Sequence, residues 1–466
     1  MQIYNTQTRR KEELIPQHEG KVGIYACGPT VYSYIHIGNA RPIIMFDVLR
    51  RYLEWRGYDV TFVQNFTDID DKVINRANQE GVTYKELSER YIKEYFTDVQ
   101  ALGVKEATVH PKATEHIAEI IDIIQKLMDK GLAYQSNDGV YFNTQDFHGY
   151  GKLSGQNLED LESGARIQVD ENKKHPMDFA LWKNKKEGEP YWESPFGDGR
   201  PGWHIECSAM SMKYLGETID IHCGGQDLVF PHHENEVAQS EGATGKPFAK
   251  YWMHNGFINI NNEKMSKSTG NFFTVREIGQ QYDLEAVRYF MLAAHYRSPL
   301  NFSQDLIEQS KSALERLYNA KDNYAFLLEK GGTVERELNE AERKFIDGIP
   351  AIRERFITCM DDDMNTAGAL GALFDLVKEG NIIAVTGAAT AAVKAAQDAL
   401  AELTGVLGLL YSRKNDAADD IEALVAQRQE ARKAKNWKEA DRIRDLITSM
   451  GYILEDTPQG AKVRKA

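Results

Sequence analysis

Cys27, Cys207, His232 and Glu236 are the residue types that hold zinc, and two thiols, an imidazole and a carboxylate make a feasible tetrahedral set. His232 and Glu236 stand four apart in a run that reads as a helix, so both project from one face. Spacing alone leaves His233 an equal candidate for the imidazole, and a distant cysteine is more often a small buried hydrophobe than a ligand. The 4 cysteines, Cys27, Cys207, Cys223 and Cys359, include no CxxC pair, which disfavours a disulfide framework and leaves metal or catalytic use open. Phosphate binding is the second chemistry. His36-Ile37-Gly38-Asn39 stands where a helix begins, and Lys264-Met265-Ser266-Lys267-Ser268 lies in a loop ended by Gly270. Unpaired amides at a helix N-terminus attract anions, and two lysines meet the charge that develops on a leaving pyrophosphate. Each string alone is short and common, and a lone Lys-rich loop reads as a solvated turn. Together, in this order and both in nucleotide-fold context, they read as a two-sided grip on a triphosphate.

Such residues need strands that end in a common crevice. Val22 to Ala26 is an apolar strand stopped by Cys27-Gly28-Pro29, because Pro has no ladder donor and Gly opens the backbone. Apolar positions from Ile43 to Leu53 recur at three-to-four spacing and predict a helix over 40–56, with a strand over 59–64 behind it. The Thr67-Asp68-Ile69-Asp70-Asp71 run after that strand reads as helix capping by Thr67 or Asp68. Parallel-sheet texture resumes at Ile219 to Asp227, where Gly224-Gly225 end the strand. A helix of about three turns starting at Pro231 and a strand over 251–260 follow. Between the two halves, 111–202 reads as an insertion: a helix over 113–130, then turn-rich segments with Phe179 and Trp182 as their core. Beyond about 275 the pattern is helical throughout, with Leu306, Ala313, Leu314 and Leu317 as an early apolar face and an Ala-rich helix at 388–404. Tyr411 to Asp420 reads as a linker to a final basic module.

A chain of 466 residues, 42% hydrophobic and 27% charged, fits an ordinary globular protein. Its length suits roughly three domains at ~150 residues each. Residues 1–20 lack the apolar core of a signal peptide, and the uncharged run Asn381 to Val393 is too short to span a bilayer, so the expected setting is cytoplasmic with no membrane partner. The net charge of -14 disfavours broad nucleic-acid binding. Residues 428–444 nevertheless carry seven Lys/Arg against three acids, a local cationic face.

These residues lie in strings that closely resemble the bacterial-type cysteinyl-tRNA synthetases, a class I aminoacyl-tRNA synthetase family. The likeness runs from Tyr25-Ala-Cys-Gly-Pro-Thr-Val-Tyr to Asp456-Thr-Pro-Gln-Gly460. Its most specific strings are Gly202-Trp-His-Ile-Glu-Cys-Ser-Ala-Met210, Gly224-Gly-Gln-Asp-Leu-Val-Phe-Pro-His-His-Glu-Asn-Glu236, Lys264-Met-Ser-Lys-Ser268 and Ala294-His-Tyr-Arg-Ser-Pro-Leu-Asn-Phe302. The resemblance implies an α/β fold: a Rossmann-type parallel-sheet catalytic domain (1–110 and 203–265) interrupted by an α+β subdomain (111–202). A KMSKS loop and stem-contact region (266–310), a helical bundle (311–410) and a small C-terminal anticodon-binding domain (411–466) complete it.

By the same resemblance, Cys27, Cys207, His232 and Glu236 bind one zinc ion per subunit. Gly28, Thr30, Thr67 and Trp203 form the cysteine pocket. Gly38, Asp227 and Lys267 contact ATP, which enters with Mg2+. His36, Asn39, Lys264, Ser266 and Lys267 carry the adenylation step, although the family signature ends in a second His where this chain has Asn39. Arg432, Trp437, Asp441 and Asp456 stand where the family meets the anticodon. Family members often have a Trp after Pro-Gln-Gly; Ala461-Lys462-Val463-Arg464 follows here. The implied reaction joins L-cysteine to the 3′-terminal adenosine of tRNA(Cys) through cysteinyl-adenylate, in a monomer. The alternatives are a related cysteine ligase of thiol biosynthesis, which would need no anticodon module, and a non-catalytic zinc- or RNA-binding paralogue, against which His36 and a complete KMSKS string argue.

Overall fold

Runs of apolar residues bounded by Gly and Pro form the sheet that positions the site. Four parallel strands, β1 (Lys21–Ala26), β2 (Asp59–Gln64), β3 (Ile219–Gly225) and β4 (Ala249–Asn255), lie in the order β4-β3-β1-β2. The structure, a computed structural model, describes residues 1–156, 172–260, 263–264, 273–411, 418–457 and 460–465. Every residue of β3 is buried, as a parallel strand covered on both faces requires. The chain leaves β1 toward β2 on one side and meets β3 on the other, so the strand order reverses at β1. Loops after β1 and β3 therefore open a crevice at the carboxyl ends of the strands. The register Tyr25↔His222 and Ala26↔Cys223 brings those loops out at the same level.

The chain passes from β1 into α1 (Ile37–Trp55), which starts before the apolar spacing predicts because its first turn is closed by polar residues. His36 Nδ1 accepts the Asn39 N–H at 3.3 Å while Asn39 Oδ1 accepts the His36 N–H at 3.3 Å, a reciprocal cap. The cap expected from Thr67 or Asp68 belongs to Asp70, whose carboxylate accepts the Lys72 N–H at 2.9 Å. Asp68 turns instead to Thr114, accepting from its N–H at 3.0 Å and its hydroxyl at 2.6 Å.

The strand expected over 251–260 is two strands in two sheets. β4 ends at Asn255, and β5 (Ile258–Ile260) joins a small sheet with Glu263–Lys264 and β6 (Leu300–Phe302). The break is at Gly256, where a Cβ would lie 2.6 Å from the Arg297 carbonyl oxygen and 2.7 Å from that of Ser298, so only glycine admits the approach. The helix expected from Pro231 starts later. Phe230 is extended (φ -139, ψ 133), and only after a wide turn over Val229–His233 does α3 (Glu234–Thr244) begin, following α2 (Trp203–Leu215) in the chain. The helix expected over 113–130 is a short turn, Ala113–Glu115, and a helix, Ile117–Asp129, parted at His116.

The segment between the sheet's halves forms an antiparallel sheet of four strands, Ala133–Gln135, Gly139–Phe142, Phe179–Asn184 and Gly199–Pro201. Phe179 and Trp182 are buried there with Ile124, Phe142 and Leu181. The same cluster takes in Ile205 and Ala209 of α2 and Ala238 of α3, so this segment braces the helices that carry Cys207 and Glu236.

The chain forms two compact units. One comprises Met1–Leu284, Ala294–Ser303 and Asp361–Asn365; the other comprises Glu285–Ala293, Gln304–Met360 and Thr366–Ala466. Long helices dominate the second, among them Gln304–Glu329 and Thr390–Leu407. Leu314 and Leu317 are buried as the spacing predicts, while Leu306 is 36% exposed. The expected linker is shorter than its polarity suggests, since α4 (Ala418–Lys433) begins inside it, followed by α5 (Trp437–Ser449). The end of the chain is not helical: β7 (Tyr452–Thr457) and β8 (Gly460–Lys465) form an antiparallel hairpin. Apolar-polar alternation at Ala461-Lys462-Val463-Arg464 is the signal for it. No helix among the described residues is long and apolar enough to cross a membrane.

Candidate active site and metal centre

The crevice at the ends of β1 and β3 is a cleft of about 520 Å³, within the size range of small-molecule sites. Cys27, Cys207 and His232 reach its floor, and Glu236 lies buried behind them. One ligand atom from each of these residues falls within 4.8 Å of the others. The Cys27 and Cys207 sulfurs are 3.7 Å apart. A tetrahedral zinc with Zn–S bonds of ~2.3 Å separates two sulfurs by ~3.8 Å, so this pair has the spacing of a ligand edge. Glu236 Oε1 is 3.4 Å from the Cys27 sulfur and 2.9 Å from His232 Nε2.

The candidate ligands come from separate parts of the fold: Cys27 from the end of β1, Cys207 from α2, His232 from the turn before α3 and Glu236 from the first turn of α3. Burial would neutralise Glu236, but the charges of His222 and His232 hold its carboxyl at about 2. Burial likewise opposes a charged His232, yet Glu236 and Cys207 raise it to about 10. The hydrogen bond from Cys27 draws the Cys207 thiol down to about 6. Burial, and then the Cys207 sulfur, push Cys27 well above the usual thiol value.

A second histidine layer was not visible in the spacing. His222 Nε2 bonds Glu236 Oε2 at 2.7 Å and its ring stacks on Trp252 at 4.4 Å, bracing the carboxylate as an outer partner does. His233 also reaches Cys27, with Nε2 3.3 Å from the sulfur, and Cys27, His222, His233 and Glu236 form a second group of metal-type donors. His233 Nδ1 is bonded to His254 Nε2 at 2.8 Å, and His254 Nδ1 to the Thr6 hydroxyl at 2.7 Å. Burial holds both rings neutral, His254 at about 3. His222 is a buried polar residue in β3, as is Asp220, and local spacing does not show which of them meets Glu236.

Gly28, Thr30, Thr67 and Trp203 all line the cleft. Thr30 and Thr67 pair as a parallel bridge beyond the ends of β1 and β2, and the Gly28 N–H donates to Asn65 Oδ1 at 2.9 Å. A Cβ on Gly28 would sit 1.6 Å from the Asn65 carbonyl oxygen, which excludes any larger residue. Trp203, 39% exposed, stacks on His232 at 4.4 Å and so covers that ring toward the cleft.

His36, Gly38, Asn39 and Asp227 line the other end of the same cleft. Asp227 Oδ1 would be 2.4 Å from a Cβ on Gly225, so the glycine admits the carboxylate against the backbone. Lys264 enters the small sheet opposite Asn259. Ser266 and Lys267 lie outside the described residues. The reciprocal cap gives Asn39 a definite duty: its side-chain oxygen holds the His36 backbone.

In the C-terminal module the Asp456 carboxylate is gripped by Arg428 at 2.7 and 2.9 Å and by Arg432 at 2.6 Å. Trp437, 59% exposed, and Asp441 stand four apart on α5, with Asp441 3.3 Å from Arg444. The structure thus joins Arg432 with Asp456, while Trp437 and Asp441 share one face of α5.

Comparison with known proteins bears on both regions. Residues 13–312 match the family model of the class I (C) tRNA synthetase catalytic domain, 355–411 a DALR domain, and 414–464 a cysteinyl-tRNA ligase anticodon binding domain. The chain is 58% identical over 466 residues to the cysteine--tRNA ligase of Clostridioides difficile (strain 630), covering 100% of both. It is 54% identical over 470 residues to that of Lachnoclostridium phytofermentans, again covering 100% of both. Among solved structures, Mycobacterium tuberculosis methionyl-tRNA synthetase in complex with methionyl-adenylate shares the fold with TM-score 0.61 and 15% identity, over 83% of this chain and 89% of that one. The ternary complex of Agrobacterium radiobacter K84 agnB2 LeuRS-tRNA-LeuAMS shares it with TM-score 0.60 and 13% identity, over 85% of each chain.

Proposed function

Because this chain belongs to the cysteine--tRNA ligase family of class I tRNA synthetases, we propose that its cleft activates L-cysteine with ATP and passes it to tRNA(Cys), choosing the amino acid by its sulfur. The enzyme is a ligase. One observation carries the reading of the site: the Cys27, Cys207, His232, Glu236 cluster and the capped N-terminus of α1 open on a single cleft. The chemistry of that donor set fits zinc, and a bound zinc would take the substrate's sulfur as a thiolate ligand, which the harder hydroxyl of serine does not match.

Adenylate formation asks the protein for no nucleophile, since the cysteine carboxylate attacks the α-phosphate and pyrophosphate departs. The chain's own work is to position and to neutralise. Thr30, Thr67 and Gly28 hold the amino-acid end, and Trp203 closes it toward solvent. With Nδ1 accepting the Asn39 N–H, the His36 ring has Nε2 as its donor, which suits a phosphate oxygen. Asn39 keeps that ring in place, Asp227 meets the ribose, and Lys264, Ser266 and Lys267 act on the phosphates of ATP, which enters with Mg2+. The free state of the described cysteines suits a reducing cytoplasm.

Cysteine-dependent ATP–pyrophosphate exchange without tRNA tests the reading. Exchange is expected with cysteine, with serine poorer by about 10⁴-fold, the discrimination available when a site bonds the distinguishing atom. Comparable exchange with both amino acids would sink the selection argument.

The metal assignment also sets a proton count. At pH 7.5 His232, raised to about 10, and Cys27, raised by burial, hold protons, while Cys207 at about 6 and Glu236 at about 2 do not. Zinc needs a neutral imidazole and thiolates, so titrating zinc into the metal-free protein should release about two protons. Below about pH 6 Cys207 is protonated as well, and affinity should fall more steeply as pH drops. Calorimetry in two buffers of different ionisation enthalpy reads the count; no proton release would contradict this ligand set.

A further inference from the structure

Arg41 follows Asn39 by two positions on α1 and is 0% exposed, yet it meets no carboxylate among the described residues. Its guanidinium donates instead to four main-chain carbonyls. Nη1 reaches Gly256 at 2.8 Å and Phe257 at 2.9 Å, and Nη2 reaches His295 at 3.2 Å and Ser298 at 2.6 Å. Burial draws its pKa down to about 10, which leaves it charged at neutral pH.

The elements joined this way are the two walls of the nucleotide end of the cleft. Gly38, Asn39 and Pro42 of α1 line one wall, and Asn255, Gly256 and Phe257 line the other. An apolar side chain could pack α1 in place with less desolvation cost. A planar fork with fixed donor directions does something more, setting both distance and angle between the elements it bonds. Gly256 shows how tight that junction is, since a Cβ there would strike the Arg297 and Ser298 carbonyls at 2.6 and 2.7 Å. The start of α1 is held from another side too, by backbone bonds from Ile37 N–H to Phe273 at 3.0 Å and from Val275 N–H to Ile35 at 3.0 Å.

We propose that Arg41 is a positioning residue for adenylate formation: by bridging α1 to the Gly256–Phe257 wall and the 295–298 turn, it sets the width of the ATP end of the cleft without touching substrate. This rests on reading the His36–Asn39 turn as the phosphate site.

Arg41→Lys keeps the charge and loses the fork. In pyrophosphate exchange its kcat/KM for ATP should fall by about 10–100-fold, the scale of a small misplacement at a reacting centre. KM for cysteine, zinc content and single-turnover transfer from preformed cysteinyl-adenylate to tRNA should stay within about twofold. Gly256→Ala, which pushes the Gly256–Phe257 wall off the 295–298 turn while Arg41 stays intact, disturbs the far side of the same bridge and should show the same ATP-selective loss, and it decides the matter if Arg41→Lys does not fold. Losses shared equally by ATP, cysteine and transfer would mark a merely structural residue and overturn the proposal, as would no loss in either folded variant. His36→Ala, assayed in parallel, separates the two readings. Wild-type exchange in that variant removes the phosphate site and the proposal with it, whereas a loss there with neither wall variant affected overturns the proposal alone.

Discussion

Substituting Cys207→Ser is expected to leave the protein without stoichiometric zinc and to lower kcat/KM for cysteine by about 10³-fold, beyond the ~10–100-fold cost of losing an outer partner of a metal ligand. Serine preserves the size of the side chain, so packing is not what changes. Cys207 is 2% exposed and sits among Ala209, Met210 and Ile205 on a well-packed helix that accepts a hydroxyl of the same shape. What is lost is one of the two soft donors of the set, the thiol whose proton is already the easier to remove. The remaining sulfur, Cys27, is held protonated by burial, so a metal would have to expel that proton with one fewer ligand to stabilise it. Metal content by elemental analysis and cysteine-dependent exchange must fall together. Wild-type zinc in the variant would remove Cys207 from the centre, and full activity without zinc would remove the metal from amino-acid choice.

The residues of this cluster are spread from position 27 to position 236, and the sequence shows them unequally. The α/β frame is legible because β1 to β4 are apolar runs with Gly or Pro at their ends, and the carboxyl ends of such strands are where ligands bind. The choice between His232 and His233 is not legible in spacing, and both rings reach the same cluster: His232 lies 2.9 Å from Glu236, and His233 3.3 Å from the Cys27 sulfur. Local spacing carries no information about which ring another segment will meet. Long-range closeness also explains the misread strand over 251–260. Nothing in that run reports that Arg297 and Ser298 will press on Gly256, and the same contact hides Arg41, which in sequence is an ordinary helix residue. Asp70 rather than Thr67 caps its helix for a similar reason, since Asp68 and Thr67 are claimed by Thr114 and by the cleft. The strand β8 does carry a local signal, the apolar-polar alternation over 461–464, which the helical pattern beyond about 275 masks.

Ending the chain at Tyr411 is expected to leave cysteine-dependent pyrophosphate exchange within about twofold of the full chain while lowering kcat/KM for tRNA charging by about 10²-fold or more, since stacking on one unpaired base alone contributes ~1–3 kcal/mol. The cut falls outside the anchor of the preceding helices. Leu410 N–H donates to Glu285 at 2.5 Å and its carbonyl accepts from Lys321 at 3.0 Å, and both bonds remain. The removed part has its own small core, Ile421, Ala440, Ile443 and Ile447, between α4, α5 and the β7–β8 hairpin. Its outer face carries an unusual expense for a soluble helix, an indole 59% exposed at the first turn of α5, and a carboxylate held rigid by two arginines. An exposed aromatic beside cations is what an unpaired base stacks on, and a fixed carboxylate can read a base edge where a mobile one would not. Loss of charging should also become less sensitive to salt, because the basic residues of 428–444 leave with the module. Undiminished charging by the shortened chain would show that selection of tRNA rests on the remaining 411 residues, and a parallel loss of exchange would show instead that the module supports the catalytic unit rather than reading RNA.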